Sequence, residues 1–114
     1  MLYERTPYDE CRSRREIGET RAVLEREYGK WLDRVVLFGS QARGDATSDS
    51  DIDLLVVLRR EVVASEEVAR MSRHLADISL RHDVVASCVF VSDERFQNGA
   101  SPFLMNVRRE GVAA

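Results

Sequence analysis

Gly39-Ser40-Gln41-Ala42-Arg43-Gly44-Asp45-Ala46-Thr47-Ser48-Asp49-Ser50-Asp51-Ile52-Asp53-Leu54-Leu55-Val56-Val57-Leu58 is the stretch that decides the fold. Just ahead of it stands Arg34-Val35-Val36-Leu37-Phe38, short, β-branched and apolar without alternation, as in a strand covered on both faces. Residues 41–50 hold small and turn-forming side chains, and Asp51 to Leu58 read as a second strand. Only the 12 residues 39–50 separate Phe38 from Asp51, enough for a short helix and a loop but not for a full helical crossover. Part of the sheet is therefore expected to be antiparallel, in a mixed arrangement.

Working outward, Thr6-Pro7-Tyr8-Asp9 reads as a helix start, with Thr6 as cap and Pro7 at the first helical position. The helix is expected over about 7–28, its Ile17, Val23, Leu24 and Tyr28 recurring at helical spacing and Gly29 stopping it. Trp31 is expected as a core anchor. Beyond the second strand, Ser65-Glu66-Glu67 is expected to cap a helix running to about residue 81, with Val68, Met71, Leu75 and Ile78 on one face. Residues 83–91 read as a third strand, Ser92-Asp93-Glu94 as a helix start, and Ser101-Pro102 as the opening of a last helix with Gly111 past its end. Strands alternating with helices predict a small α/β (α+β) domain, a mixed β-sheet flanked by helices.

With 114 residues, 44% of them hydrophobic and 32% charged, the chain reads as one compact domain over 1–114, with no room for a separate substrate-binding domain. A net charge of -3 argues against a surface built to grip nucleic-acid phosphates. Cys11 and Cys88 lack the spacing of a zinc site or a disulfide framework and suit a reducing cytoplasm. No signal core and no stretch of roughly 20 apolar residues is present, so the expectation is a soluble, unexported protein.

Asp51 and Asp53 lie two apart on a predicted strand, so both carboxylates share a face while Ile52 and Leu54 point oppositely into the core. Two carboxylates so placed repel each other unless a cation lies between them, and Mg²⁺ takes oxygen ligands of this kind. An isolated D-x-D is more often a solvated turn, but Asp53 is followed by five apolar residues and belongs to strand interior, where an unpaired carboxylate is costly. A calcium loop from Asp49 fails, because Leu54 and Arg60 stand where glycine and glutamate are required. Gly39-Ser40 at a strand end, opening into a short helix, has the logic of a phosphate cradle; no Gly-Lys-Ser or Gly-Lys-Thr follows, which excludes a P-loop.

Gly39-Ser40, ten residues, then Asp51-Ile52-Asp53 resembles the G-S-x10-D-x-D signature of the nucleotidyltransferase superfamily, and Gly39 to Gly44 with Ser50 to Leu54 resembles its minimal, single-domain branch. Looser similarity continues through the third strand to Ser101-Pro102-Phe103-Leu104 and Glu110-Gly111. The resemblance implies two Mg²⁺ ions bridged by Asp51 and Asp53, with a third carboxylate on a neighbouring strand. Asp83, the acidic residue of the expected third strand, is its candidate, the alternative being a solvated residue at the strand start. The resemblance also places the terminal phosphates of ATP against Gly39 and Ser40, with Arg43 either reaching the same charge or staying exposed. Relatives of this branch imply transfer of AMP to a hydroxyl of a partner, a HEPN-type ribonuclease toxin, with the chain as its antitoxin. Two rival classes remain: a non-catalytic binding module for such a partner, and a small-molecule transferase resembling the aminoglycoside-modifying enzymes. His74 and His82 read as surface or packing residues.

Overall fold

The computed structural model describes residues 14–43 and 51–114, apart from the side chains of Ser40 and Gln41. The helix start expected at Thr6-Pro7 lies outside the described residues, as does Cys11. The first helix, α1 (Arg14–Tyr28), buries Ile17, Thr20, Leu24 and Tyr28, a stripe of three- and four-residue steps that keeps one face against the sheet. Gly29 ends it at φ +52°, a left-handed conformation that suits glycine. A 3-10 turn, Gly29–Trp31, then leads into β1 (Leu32–Phe38), which begins two residues earlier than expected. Trp31 is not a core anchor: it lies in that turn, outside the sheet, is 44% exposed and carries the Lys30 ammonium over its ring at 5.2 Å.

One short turn, α2 (Ser40–Arg43), follows β1, and β2 (Ile52–Leu58) pairs antiparallel with it, Phe38 opposite Asp53 and Val36 opposite Leu55. The next helix, α3 (Ala64–His82), precedes β3 (Ala86–Ser92), which pairs parallel with β2. Then come α4 (Asp93–Asn98), capped by the Ser92 hydroxyl, and α5 (Pro102–Glu110), capped by that of Ser101. Both caps stand where the sequence places them. A two-residue strand, β4 (Val112–Ala113), pairs with Leu37 and Val36 of β1. Such a short strand carries no pattern of its own. The sheet order β3-β2-β1-β4 is mixed, as the short β1–β2 connection requires.

Alternation along the strands divides two cores. Val35, Leu37, Ile52, Leu54, Val56, Leu58, Ala86 and Phe90 pack with α1 and α3 on one face. Val36, Leu55, Val57 and Val91 meet Phe96, Leu104 and Val107 of α4 and α5 on the other. Coverage on both sides explains why β2 reads as a continuous apolar run.

In α3 the structure departs from the expected face. Val68 is 50% exposed, and Glu67, only 1% exposed, takes the buried position above Met71 and Ile78. The Arg60 guanidinium meets both Glu67 oxygens at 2.9 and 3.1 Å, and the Tyr28 hydroxyl donates to Glu67 Oε1 at 3.1 Å. A carboxylate so paired tolerates burial. Ser65 does not cap the helix either; Val63 holds that position without a side-chain bond, and its carbonyl accepts from the Glu66 and Glu67 N–H groups.

Candidate active site

Strand β2 places Asp53 on the face shared with Leu55 and Val57, opposite Phe38 of β1 and beside Ser87 of β3. Asp51 is exposed, one residue ahead of the strand, where Ile52 N–H begins the pairing by donating to Val85 O at 2.8 Å. Partial burial raises the Asp53 carboxyl above its ordinary value, and the charge of Asp51 raises it further. Asp53 is thus a half-buried carboxylate facing a like charge with no compensating cation among these neighbours.

Gly39 brings the preceding strand end against this pair. It adopts φ +77°, and a Cβ built on it would lie 2.7 Å from Asp53 Oδ2. Glycine is needed here twice over, for the left-handed backbone and for the space the carboxylate occupies. The Gly39 carbonyl then accepts from the Ala42 and Arg43 N–H groups, closing the single turn of α2 and seating Ala42 in the core. Arg43 is exposed at the end of that turn. Two carboxylates in mutual repulsion, one of them fitted into the cradle left by a missing side chain, suit a hard divalent cation.

The nucleotidyltransferase domain family matches residues 17–105, a span that contains β1, α2, β2, α3 and β3. The chain belongs to the nucleotidyltransferase family. Two Methanocaldococcus jannaschii proteins, each named a putative protein adenylyltransferase, are similar to it. MJ0604 is 34% identical over 78% of this chain and 84% of its own length. MJ0141 is 39% identical over 49% of this chain and 56% of its own length, so the chain spans little more than half of that relative. Among solved structures, one described as a putative minimal nucleotidyltransferase superposes at a TM-score of 0.54, with 27% identity over 97% of this chain and 98% of that one. A toxin-antitoxin crystallised with AMP-PNP shares the fold at a TM-score of 0.58, with 20% identity over 82% of this chain and 68% of that one.

Against this nucleotidyltransferase frame the expected site residues separate. Asp51, Asp53 and Gly39 come together. Asp83 does not join them: α3 runs to His82, and Asp83 is its C-cap at φ 53°, ψ 47°, its backbone N–H bonded to Ser79 O. The strand expected from 83 begins at Ala86, and no group of three or more acidic, His or Cys side chains able to hold a metal exists among the described residues. The third-strand residue beside Asp53 is Ser87.

The histidines are engaged by carboxylates of α1, His74 with Glu27 at 3.1 Å and His82 with Glu19 at 2.9 Å. Burial pushes the Cys88 thiol up to about 12, which leaves it unfit as a nucleophile. No helix among the described residues is long and apolar enough to cross a membrane. Sequence reasoning missed one feature of the site's face. A cavity of about 410 Å³ opens along it, lined in part by Leu55 and Val89, each one pleat beyond Asp53 and Ser87. Only the register between β2 and β3 discloses it.

Proposed function

We propose that the chain is a Mg²⁺-dependent protein adenylyltransferase, moving AMP from ATP to a hydroxyl of a partner protein, and that the partner is a HEPN-type toxin which the modification neutralises. The observation that carries the reading is the Asp51–Asp53 pair with Gly39 packed against the Asp53 carboxylate. Both named M. jannaschii relatives point to the same reaction class, and the toxin-antitoxin complex with AMP-PNP has the same fold.

In this reading Asp51 and Asp53 hold the divalent ion, and Gly39 with Ser40 gives the terminal phosphates a close backbone approach. When bound, Mg²⁺ supplies neutralisation of the triphosphate and of the departing pyrophosphate. The acceptor oxygen forms a bond to the α-phosphorus as the bond from that phosphorus to the bridging oxygen breaks, pyrophosphate leaves with that oxygen, and the hydroxyl proton passes to solvent water. Rigid strand backbone fixes Asp53, so the residues contribute chiefly position and charge.

The test is incubation of the protein with Mg–ATP and the product of the neighbouring gene, read by intact-mass spectrometry. A gain of one or more AMP groups on the partner, absent with EDTA and with Asp53→Asn, is expected. Transfer to a small aminoglycoside with no modification of the partner would overturn the acceptor assignment.

A further inference from the structure

We propose that the cavity between β3, α4 and α5 is the base pocket of this site, taking the purine ring of the nucleoside triphosphate whose phosphates lie at Gly39 and Asp53. The inference rests on the transferase reading and extends it from the phosphate end of the ligand to the other end.

Three observations carry it. The first is continuity. Leu55 and Val89 line the cavity, and they occupy the same sheet face as Asp53 and Ser87, one strand repeat further along, or about 7 Å. Ser87, beside Asp53, and Val89, at the cavity, are both exposed on edge strand β3, so along that strand the face is accessible at both positions. The second is the chemistry of the walls. Val89 and Phe103, each 42% exposed, provide the accessible apolar surface, with the buried side chains of Leu55 and Leu104 behind them. The Phe103 ring stands edge to face with Phe38 at 5.3 Å, and Phe38 is the direct cross-strand partner of Asp53, so the aromatic wall is tied to the metal-binding position. Flat heteroaromatic rings stack on such side chains whatever their identity.

The third observation is the polar rim. Arg95 and Glu61 also line the cavity, and neither side chain makes a hydrogen bond or ion pair among the described residues. They offer donors and an acceptor to a base edge that carries ring-nitrogen acceptors and an exocyclic amino donor. A volume of about 410 Å³ falls within the range of small-ligand sites and suits the larger, bicyclic bases. The Ser92 and Ser101 hydroxyls at the same walls are engaged as helix caps, which fixes α4 and α5 and with them the pocket's outline.

The experiment compares Mg–ATP with Mg–tripolyphosphate, which has the phosphates and no base, by titration calorimetry on the wild type, Phe103→Ala and Val89→Trp. Both variants are expected to stay folded, Phe103→Ala melting a few degrees lower through loss of the Phe38 contact, so affinities are compared at a temperature well below both transitions. Loss of one base-stacking partner is expected to weaken Mg–ATP about tenfold in Phe103→Ala, and filling the cavity in Val89→Trp to weaken it at least as much. Mg–tripolyphosphate is expected to bind all three alike. Unchanged ATP affinity in both variants would overturn the proposal while leaving the phosphate site standing, as would equal losses for the two ligands. If neither ligand binds the wild type, the transferase reading fails and the base pocket with it.

Discussion

Gly39→Ala separates the fold from the site more sharply than any change at the carboxylates, provided that Gly29→Ala is its control. Both glycines have positive φ, +77° and +52°. A side chain in that region costs about 1–2 kcal/mol, offset by about 0.4–1 kcal/mol from the stiffer unfolded chain. Each variant is therefore expected to lose about 1 kcal/mol, a fall in melting temperature of about 4–8 °C for a chain of this size. The surroundings differ. Nothing lies within 4 Å of a Cβ at Gly29, whereas one at Gly39 would sit 2.7 Å from Asp53 Oδ2. That oxygen is the end of a rotatable side chain, so the clash is relieved by turning the carboxylate away, at little further cost in stability. Displacing a ligand in this way typically costs 10–100-fold in metal affinity. Calorimetry with Mg–ATP should show wild-type binding by Gly29→Ala and roughly that loss in Gly39→Ala, while thermal melts in EDTA show the two destabilised alike. Wild-type affinity in Gly39→Ala, or an equal loss in Gly29→Ala, would refute the placement of Gly39 against a metal-binding carboxylate.

Other expectations follow from the ionisable groups. Asp53→Asn should melt higher than the wild type at pH 7 in EDTA, because the raised Asp53 carboxyl destabilises the fold once ionised; the gap should close as the pH falls below its ordinary 3.8, where both chains are neutral at this position. Glu67→Gln should lose about 1–2 kcal/mol at neutral pH in denaturant melts, since Glu67 is buried against Arg60 and Tyr28. The hydrogen bond from Arg60, more than any other contact, holds the Glu67 carboxyl below its ordinary 4.5, so its stabilisation is full above that value and disappears as the pH drops through the lowered one. Acidification should accordingly cost the wild type more than Glu67→Gln. Asp83→Gly should keep wild-type Mg–ATP affinity and melt at or a few degrees above the wild type, since glycine relieves the left-handed backbone at that cap; a tenfold loss of affinity would return Asp83 to the metal site.

Much of this fold was legible because its signals are local. The apolar runs at 34–38 and 52–58 declare strands covered on both faces, the short connection between them forces antiparallel pairing, and Ser92, Ser101 and Gly111 mark helix ends by their own chemistry. Where the reading failed, the deciding contact lies far along the chain. Glu67 displaces Val68 from the buried face of α3 only because Arg60 and Tyr28 are there to pair with it, and Tyr28 is 39 residues away. Trp31 has the composition of an anchor, but the 3-10 turn before β1 leaves it outside the sheet.

The site divides along the same line. The proximity of Asp51, Asp53 and Gly39 was readable from spacing, since a strand's two-residue period and a glycine at a strand end each act within a few residues. The third carboxylate demanded a register, and a register is a long-range fact. Continuing α3 through His82 and turning at Asp83 delays β3 until Ala86, which sets Ser87, not an acidic residue, beside Asp53. A site with two protein carboxylates remains chemically sufficient, because Mg²⁺ is commonly bound by one or two carboxylates with substrate phosphates and water completing its shell. In the proposed function the triphosphate would then be part of the metal site rather than a visitor to it, and its binding would be coupled to the metal's. Under the proposed function that coupling would give the neighbouring cavity its significance: a base held between Val89 and Phe103 would steady the phosphates that complete the shell at Asp53, so contacts far from the reacting phosphorus would strengthen the metal site itself.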